Sequence, residues 1–309
     1  MLLVLSLLML LLALTIFPQL LGRNGITFAH AKFIRPNGVT PTPSPTAVPG
    51  LTYYGGPVIV GTMNVYPIYW FPNDNGANNA YIAAINQFYS DVHSISLFSV
   101  LSEYPGHNGI ITSTQLAGSW EDMNTPYPET TLTQADIVSE VKLAIATNNW
   151  PTSGYNNYFP VYTLKGEQVA NPQDDGSCGA HYSWGPQDNP IIFAHIAFAS
   201  AGSGPVTQCA YLTPTAPSGS LYIDTAITAS AHEQFEAATD PLTQITLSWY
   251  AFGAGEIGDI CQSNFGPTPY PYDGGLANQR FWNNSAGHYD YYIIQTMASS
   301  SPLGCSLGT

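Results

Sequence analysis

Leu221-Tyr-Ile-Asp-Thr-Ala-Ile-Thr-Ala-Ser-Ala-His232-Glu-Gln-Phe-Glu236-Ala-Ala-Thr239, followed by Asp240-Pro241, reads as one long helix. Pro241 sets its end, because a residue preceding proline is pushed out of the helical region. Toward the N-terminus, Val58 to Trp70 predicts one or two strands rich in Val, Ile and Tyr, with Gly61 as a bulge or turn. Ile82, Ile85, Phe88 and Tyr89 give Ala80 to Val92 the spacing of an amphipathic helix. Ser96 to Tyr104 and Gly109 to Leu116 read as short strands or loop, and Gly118 to Thr130 as irregular. Thr133 caps a second helix with a stripe at Ile137, Val141, Ala144 and Ile145, which Asn148-Asn149-Trp150-Pro151 stops. Phe159 to Leu164 and Ile191 to Ala199 read as buried strands bracketing a loop, Asp174 to His181. This order predicts an α/β domain, compatible with the zincin plan in which a mostly parallel sheet backs the metal-site helix at about 221–240. The tail from Gly266, rich in Tyr, Gly and Asn, is expected to add a few strands.

The chemistry expected of the long helix follows from its spacing. His232 and Glu236 lie one turn apart on one face, so an imidazole and a carboxylate can reach the same cation, and Glu233 stands beside them. This is the layout of an HExxH metallopeptidase helix with the second histidine replaced by glutamate, a change that also suits cations harder than zinc. The layout resembles that of gluzincin peptidases, in which a distal carboxylate at a similar separation completes the site. A third ligand is therefore expected about 20 residues further on, from Asp259 first and Glu256 second, where Gly253, Gly255 and Gly258 allow close backbone approach. Asp240 lies on roughly the same face and could orient the imidazole or add a ligand. In the hydrolytic reading a zinc ion, or alternatively calcium, activates water and Glu233 accepts its proton. The candidates for stabilising the oxyanion are His181, Tyr250 and His195, with His181 preferred because His195 falls in an apolar strand, where it reads as a core histidine. The rival reading makes the whole set a solvated helix face. It is weakened by Ser230-Ala231 and Ala237-Ala238, which surround the polar residues with small, buried ones.

Charge excludes several partners. Six Lys plus Arg against 20 Asp plus Glu in 309 residues give a net charge of −14, which leaves no basic patch for nucleic acid or an anionic membrane surface. Only 8% of residues are charged, so the surface relies on neutral polar side chains, as in many secreted proteins; adaptation to acid is the other reading of that scarcity. There is no G-x-S-x-G elbow, P-loop or dinucleotide fingerprint. The 20 Tyr and six Trp could line a glycan groove, but such richness more often fills cores. Asn283-Asn284-Ser285 is a formal glycosylation sequon.

Leu2 to Leu21 is almost wholly apolar and Ala29-His30-Ala31 offers a small-x-small cleavage site, so residues 1–31 are expected to be a secretory signal, with an uncleaved anchor as the alternative. Residues 32–50, with Pro-Thr-Pro-Ser-Pro-Thr, form a stiff linker, and the domain spans 51–309. Four cysteines in an oxidising compartment permit three pairings, of which chain order favours Cys178–Cys209 and Cys261–Cys305.

Tyr54-Gly-Gly-Pro-Val with Val65-Tyr-Pro-Ile-Tyr-Trp, Cys178-Gly-Ala-His181, Cys209 and the closing cysteines resemble the exordium, or phosphate-induced protein 1, family from about Tyr53 to Cys305. The resemblance implies a secreted or wall-associated protein linked to growth responses. The plant pattern lacks the His-Glu-x-x-Glu set, so Ala231 to Pro241 with Glu256-Ile-Gly-Asp-Ile-Cys261 looks like a microbial branch. Function is not inherited from fold where the site differs. The expectation is therefore a secreted metal-dependent hydrolase acting on a peptide or protein substrate. The alternative is a non-enzymatic exordium-like protein of the cell surface, binding cell-wall glycan, with a structural cation site.

Overall fold

The computed structural model describes residues 50–308 apart from 130, 153, 166, 171–177, 199–215, 263, 273–274, 284 and 301–302. The expected signal segment, nearly all of the linker and Cys209 lie outside the described residues.

Seven strands form the central sheet: β1 (Gly61–Val65), β2 (Ile68–Trp70), β3 (Ile111–Leu116), β4 (Trp120–Asp122), β5 (Asn157–Thr163), β6 (Gly179–Trp184) and β7 (Ile191–Ile196). Its order is β3-β1-β5-β7-β6, while β2 lies between β5 and β4. All pairings are parallel except that of β6 with β7. Tyr66-Pro67 separates β1 from β2; proline has no N–H to donate, and the Tyr66 N–H alone bridges to the Tyr158 carbonyl at 2.9 Å. Gly61 has φ +75°, and the register with β3 shifts immediately after it, so the expected bulge is there.

Among the described residues three α-helices cover the sheet: α1 (Asn79–Asp91), α2 (Gln134–Asn148) and α3 (Leu221–Thr239). Strand alternation sorts the side chains between two cores. Phe159, Val161, Ala180, Tyr182 and Phe193 face α2 and pack on Ile137, Val141 and Ala144. Tyr158, Tyr162, Ile192 and Ala194 face the other way, toward α1 and α3. Fully burying each such Phe or Ile is worth roughly 1.5–3 kcal/mol. From Asp224 to Thr239 every residue of α3 is buried, so this helix runs through the interior rather than over it.

Three expectations need correction. Ser96 to Glu103 is a 3-10 helix, not a strand or loop; Leu97, Phe98, Val100 and Leu101 turn one face into the core. The stretch read as irregular contains β4, which pairs with β2. His181 sits within β6 rather than in a loop. The tail forms three short hairpins, at 270–277, 279–292 and 297–306. The Cys261–Cys305 disulfide ties it to the turn after Glu256, as expected. Cys178 is disulfide-bonded as well. Among the described residues no helix is long and apolar enough to cross a membrane.

Candidate metal centre

The helical one-turn spacing brings His232 Nε2 to 2.8 Å from Glu236 Oε1. The chain then leaves α3, returns through Trp249-Tyr250, and lays the Glu256–Asp259 turn against the same face. Asp259 Oδ1 lies 3.7 Å from His232 Nε2, and the Asp259 N–H donates to Glu236 Oε1 at 3.2 Å. Asp259 Oδ2 accepts from the Glu256 N–H at 3.0 Å, which closes the turn. Asp259, the first choice for a third ligand, thus lies beside His232 and Glu236.

The remaining wall comes from the sheet. β6 pairs Ala194 with His181 and His195 with Ala180, so the two histidines point to opposite faces. His181 faces α3: its Nδ1 is 3.5 Å from Glu233 Oε2 and 3.6 Å from Glu236 Oε2. Its Nε2 is 3.7 Å from Glu256 Oε1 and 3.1 Å from the Asp240 carbonyl oxygen. His195 faces the α2 side, 3.2 Å from Thr163 Oγ1; burial pushes its imidazole down to about 3, so it is a neutral core histidine. Tyr250 lies on a two-residue strand paired with Thr52 and packs on the Phe252 ring at 5.5 Å.

Two groups of ligand atoms result, each closed within 4.8 Å: His181, Glu233 and Glu236, and His232, Glu236 and Asp259. The cluster is largely shut away from solvent, His232 and Glu233 at 0% exposure and Glu256 at 2%, with Asp259 at its partly exposed edge. Asp240 accepts from the Ser248 N–H through Oδ1 at 2.9 Å. Its Oδ2, both Glu233 oxygens and Glu256 Oε1 accept no hydrogen bond among the described residues. Buried carboxylate oxygens left this way are costly unless a cation or proton compensates them.

The protonation pattern points to the same deficit. Burial pushes Glu233 up to about 7 against the attraction of His181 and His232, and it likewise raises Asp240 to about 7 and Asp259 to about 6. Glu256 is driven well above the carboxylate range by burial, more than His181 offsets. Glu236 goes the other way, to about 2, because His232 and His181 outweigh its burial. Burial alone would lower both imidazoles, yet the carboxylates around them hold each well above its usual range. The cluster thus holds protons where a divalent cation, bound by deprotonated ligands, would displace them.

Gly258 is one of the glycines expected to let the backbone approach the helix, whereas Gly179 and Tyr158 carry no such expectation. A Cβ on Gly179 would meet Glu233 Oε1 at 2.7 Å, and one on Gly258 would meet His232 Nδ1 at 2.7 Å, so both positions must be bare for the backbone to approach. The Tyr158 hydroxyl is buried without a hydrogen-bond partner among the described residues, and burial together with Glu233 and Glu236 raises it well above the usual phenol range. The β5 run Asn157 to Thr163 is buried at every position, which hides which of its tyrosines faces the helix; only the strand period separates them.

No family model matches the chain. It is similar to Protein EXORDIUM-like 3 of Arabidopsis thaliana, with 27% identity over 243 residues that cover 70% of this chain and 69% of that protein. That distant similarity supports the exordium relationship implied by the opening Tyr-Gly-Gly-Pro and Cys-Gly-x-His motifs.

Proposed function

We propose that this chain is an exported, exordium-like protein of the cell surface whose domain is held together by a buried divalent cation, with a binding rather than a catalytic role. One observation carries the reading: two imidazoles and five carboxylates, those of Glu233, Glu236, Asp240, Glu256 and Asp259, gather in one shell that is buried at every member but Asp259, whose side chain is 9% exposed. A catalytic centre needs an open position facing a substrate, whereas a structural one is closed. His232, Glu236 and Asp259 are the ligands, with His181, Glu233 and Glu256 beside them. An imidazole in each ligand group favours zinc or a neighbouring first-row ion over calcium, which prefers oxygen throughout. The similarity to an exordium-like protein supports the same class, and the apolar segment with its Ala-His-Ala site supports export through a signal at 1–31. The exposed aromatic side chains at Tyr54, Phe252 and Tyr289 suit contact with cell-wall glycan.

A second reading, a peptide hydrolase, is favoured by one feature. Glu233 adjoins His232, has no hydrogen bond on either oxygen among the described residues, and is poised near neutrality. A bound cation would supply Lewis acidity there, and Glu233 would hold the proton taken from water. The test is elemental analysis of the exported protein purified without chelator, with thermal unfolding before and after EDTA. The structural reading expects bound zinc-class metal and a fall in Tm on stripping, with no cleavage of a peptide library. Peptide cleavage that Glu233→Gln abolishes while metal content is unchanged would establish the hydrolase. Metal-free protein of unaltered Tm would overturn both.

A further inference from the structure

We propose that the cluster is a two-cation centre in which Glu236 is the bridging ligand, one oxygen to each ion, an inference that rests on the divalent-cation reading above. The two imidazoles belong to different ligand groups, and Glu236 is the residue common to both. Its two oxygens are divided between them: Oε2 faces His181 Nδ1 at 3.6 Å, and Oε1 faces His232 Nε2 at 2.8 Å.

Ligands about 2.1 Å from a tetrahedral ion are separated from one another by roughly 3.4 Å. In the first group, His181 Nδ1 stands 3.5 Å from Glu233 Oε2 and 3.6 Å from Glu236 Oε2, which is already that spacing. His181 Nε2 lies 3.1 Å from the Asp240 carbonyl, so the tautomer that donates there leaves the Nδ1 lone pair turned toward the glutamates. In the second group His232 is 3.7 Å from Asp259 Oδ1, and its 2.8 Å contact with Glu236 opens by a side-chain adjustment when an ion enters. Glu236 Oε1 also accepts the Asp259 N–H, which fixes the carboxylate between the groups.

Two further observations are independent of those distances. Glu233 Oε1 and Oε2, Asp240 Oδ2 and Glu256 Oε1 are buried without hydrogen bonds among the described residues, in addition to the His232, Glu236 and Asp259 atoms that form the second group. With neutral imidazoles, one divalent cation leaves the five carboxylates three charges short of balance, while two leave one. Each group also has its own bare glycine, Gly179 against Glu233 and Gly258 against His232. Glu233 is then a ligand and not a base, which draws the centre away from hydrolysis.

The experiment uses the full exported chain, stripped with chelator and titrated with Mn2+ and separately with Zn2+. The proposal expects two equivalents bound per chain and, for Mn2+, the electron paramagnetic resonance spectrum of a spin-coupled pair. Asp259→Asn and Glu233→Gln should each reduce the capacity from two equivalents to one, and Glu236→Ala should abolish coupling. The coupled spectrum is read on the unsubstituted protein, so a variant that misfolds does not remove the test. Saturation at one equivalent with an uncoupled spectrum would overturn the bridged pair and leave the one-cation reading standing. No binding of either ion would bring down both.

Discussion

α2 and α3 lie on opposite faces of one sheet and differ in length by only four residues, 15 against 19, yet they are held by different forces. α2 follows local rules. Thr133 and Asp136 form a reciprocal capping box, an apolar stripe faces the sheet, Leu143 stays exposed, and Asn149 ends the helix in the left-handed region. α3 breaks most of them: its N-cap Ser220 makes no side-chain cap, Thr225, Ile227 and Thr228 are branched at Cβ, and its ionised groups face inward. Such a segment is helical because of what surrounds it. The difference separates a helix specified by its own sequence from one that carries the candidate centre, and it sets where substitutions should hurt.

The largest effect is expected where the surroundings of α3 are tightest. Gly258→Ala places a methyl 2.7 Å from His232 Nδ1, and the turn carrying it is fixed by the Glu256–Asp259 hydrogen bond and the nearby disulfide. Overpacking of this kind costs roughly 1–3 kcal/mol. If His232 is a ligand as proposed, the clash also displaces it, and the deficit in urea unfolding should be larger with metal present than after EDTA. Equal deficits in both conditions would mean that the turn packs on α3 without serving a cation.

The next test concerns the buried charge of α2, Glu140, which faces Asp122 beneath Trp70 and Thr125. Burial first, and then repulsion from Asp122, raise the Glu140 carboxyl from 4.5 to about 8. Asp122 stays below its usual value although burial raises it, because Thr125 and Asn124 donate to it. Folded Glu140 therefore keeps its proton between pH 4.5 and 8 while the unfolded chain releases it. The folded state binds more protons in that window, so stability falls as pH rises through it and levels off above 8. Asp91 and Asp224, both raised by burial to about 6, act in the same direction between about pH 4 and 6. Glu140→Gln should remove on the order of 1 kcal/mol of this decline after allowance for solvent screening. Parallel Tm curves for the two proteins from pH 5 to 8 would refute the assignment.

The same contrast explains what could be read in the sequence. α2 was legible to its cap and its stop because its signals are local. α3 was legible for a different reason: Pro241 fixes its end, and His232 and Glu236 define a face without reference to the rest of the chain. Asp259 is reached by likeness to the gluzincin peptidases, in which a distal carboxylate at a similar separation completes the site. His181 was placed in a loop because Gly179 and Ala180 carry little strand signal; only its pairing with Ala194 reveals a strand. The 3-10 helix at Ser96–Glu103 was missed although Leu97, Phe98, Val100 and Leu101 have helical spacing, since the run is too short to outweigh its serines. Tyr158 and the Asp122–Glu140 pair arise from register between distant elements, and no single segment contains that information.

At the helix starts the comparison sharpens to one side chain each. Thr133→Ala removes the hydroxyl that accepts from the Asp136 N–H at 3.3 Å, and the backbone Thr133 N–H to Asp136 carboxylate half remains. The expected cost is about 1 kcal/mol in urea unfolding, the usual loss for a capping threonine.

Ser220→Ala should cost no more than a few tenths of a kcal/mol, although Ser220 occupies the same formal position on α3. Its side chain makes no cap bond; instead Asp224 reaches back over the first turn and accepts from the Ser218 hydroxyl at 2.6 Å and the Ser218 N–H at 3.2 Å. Ser218 Oγ in turn accepts from the Ser220 N–H at 3.2 Å. The segment before α3 is thus clasped by the helix rather than the helix being capped by the segment. A loss near 1 kcal/mol on Ser220→Ala would show that α3 depends on its own N-terminus after all, and the division between a locally specified helix and one held by its site would fail at its simplest point.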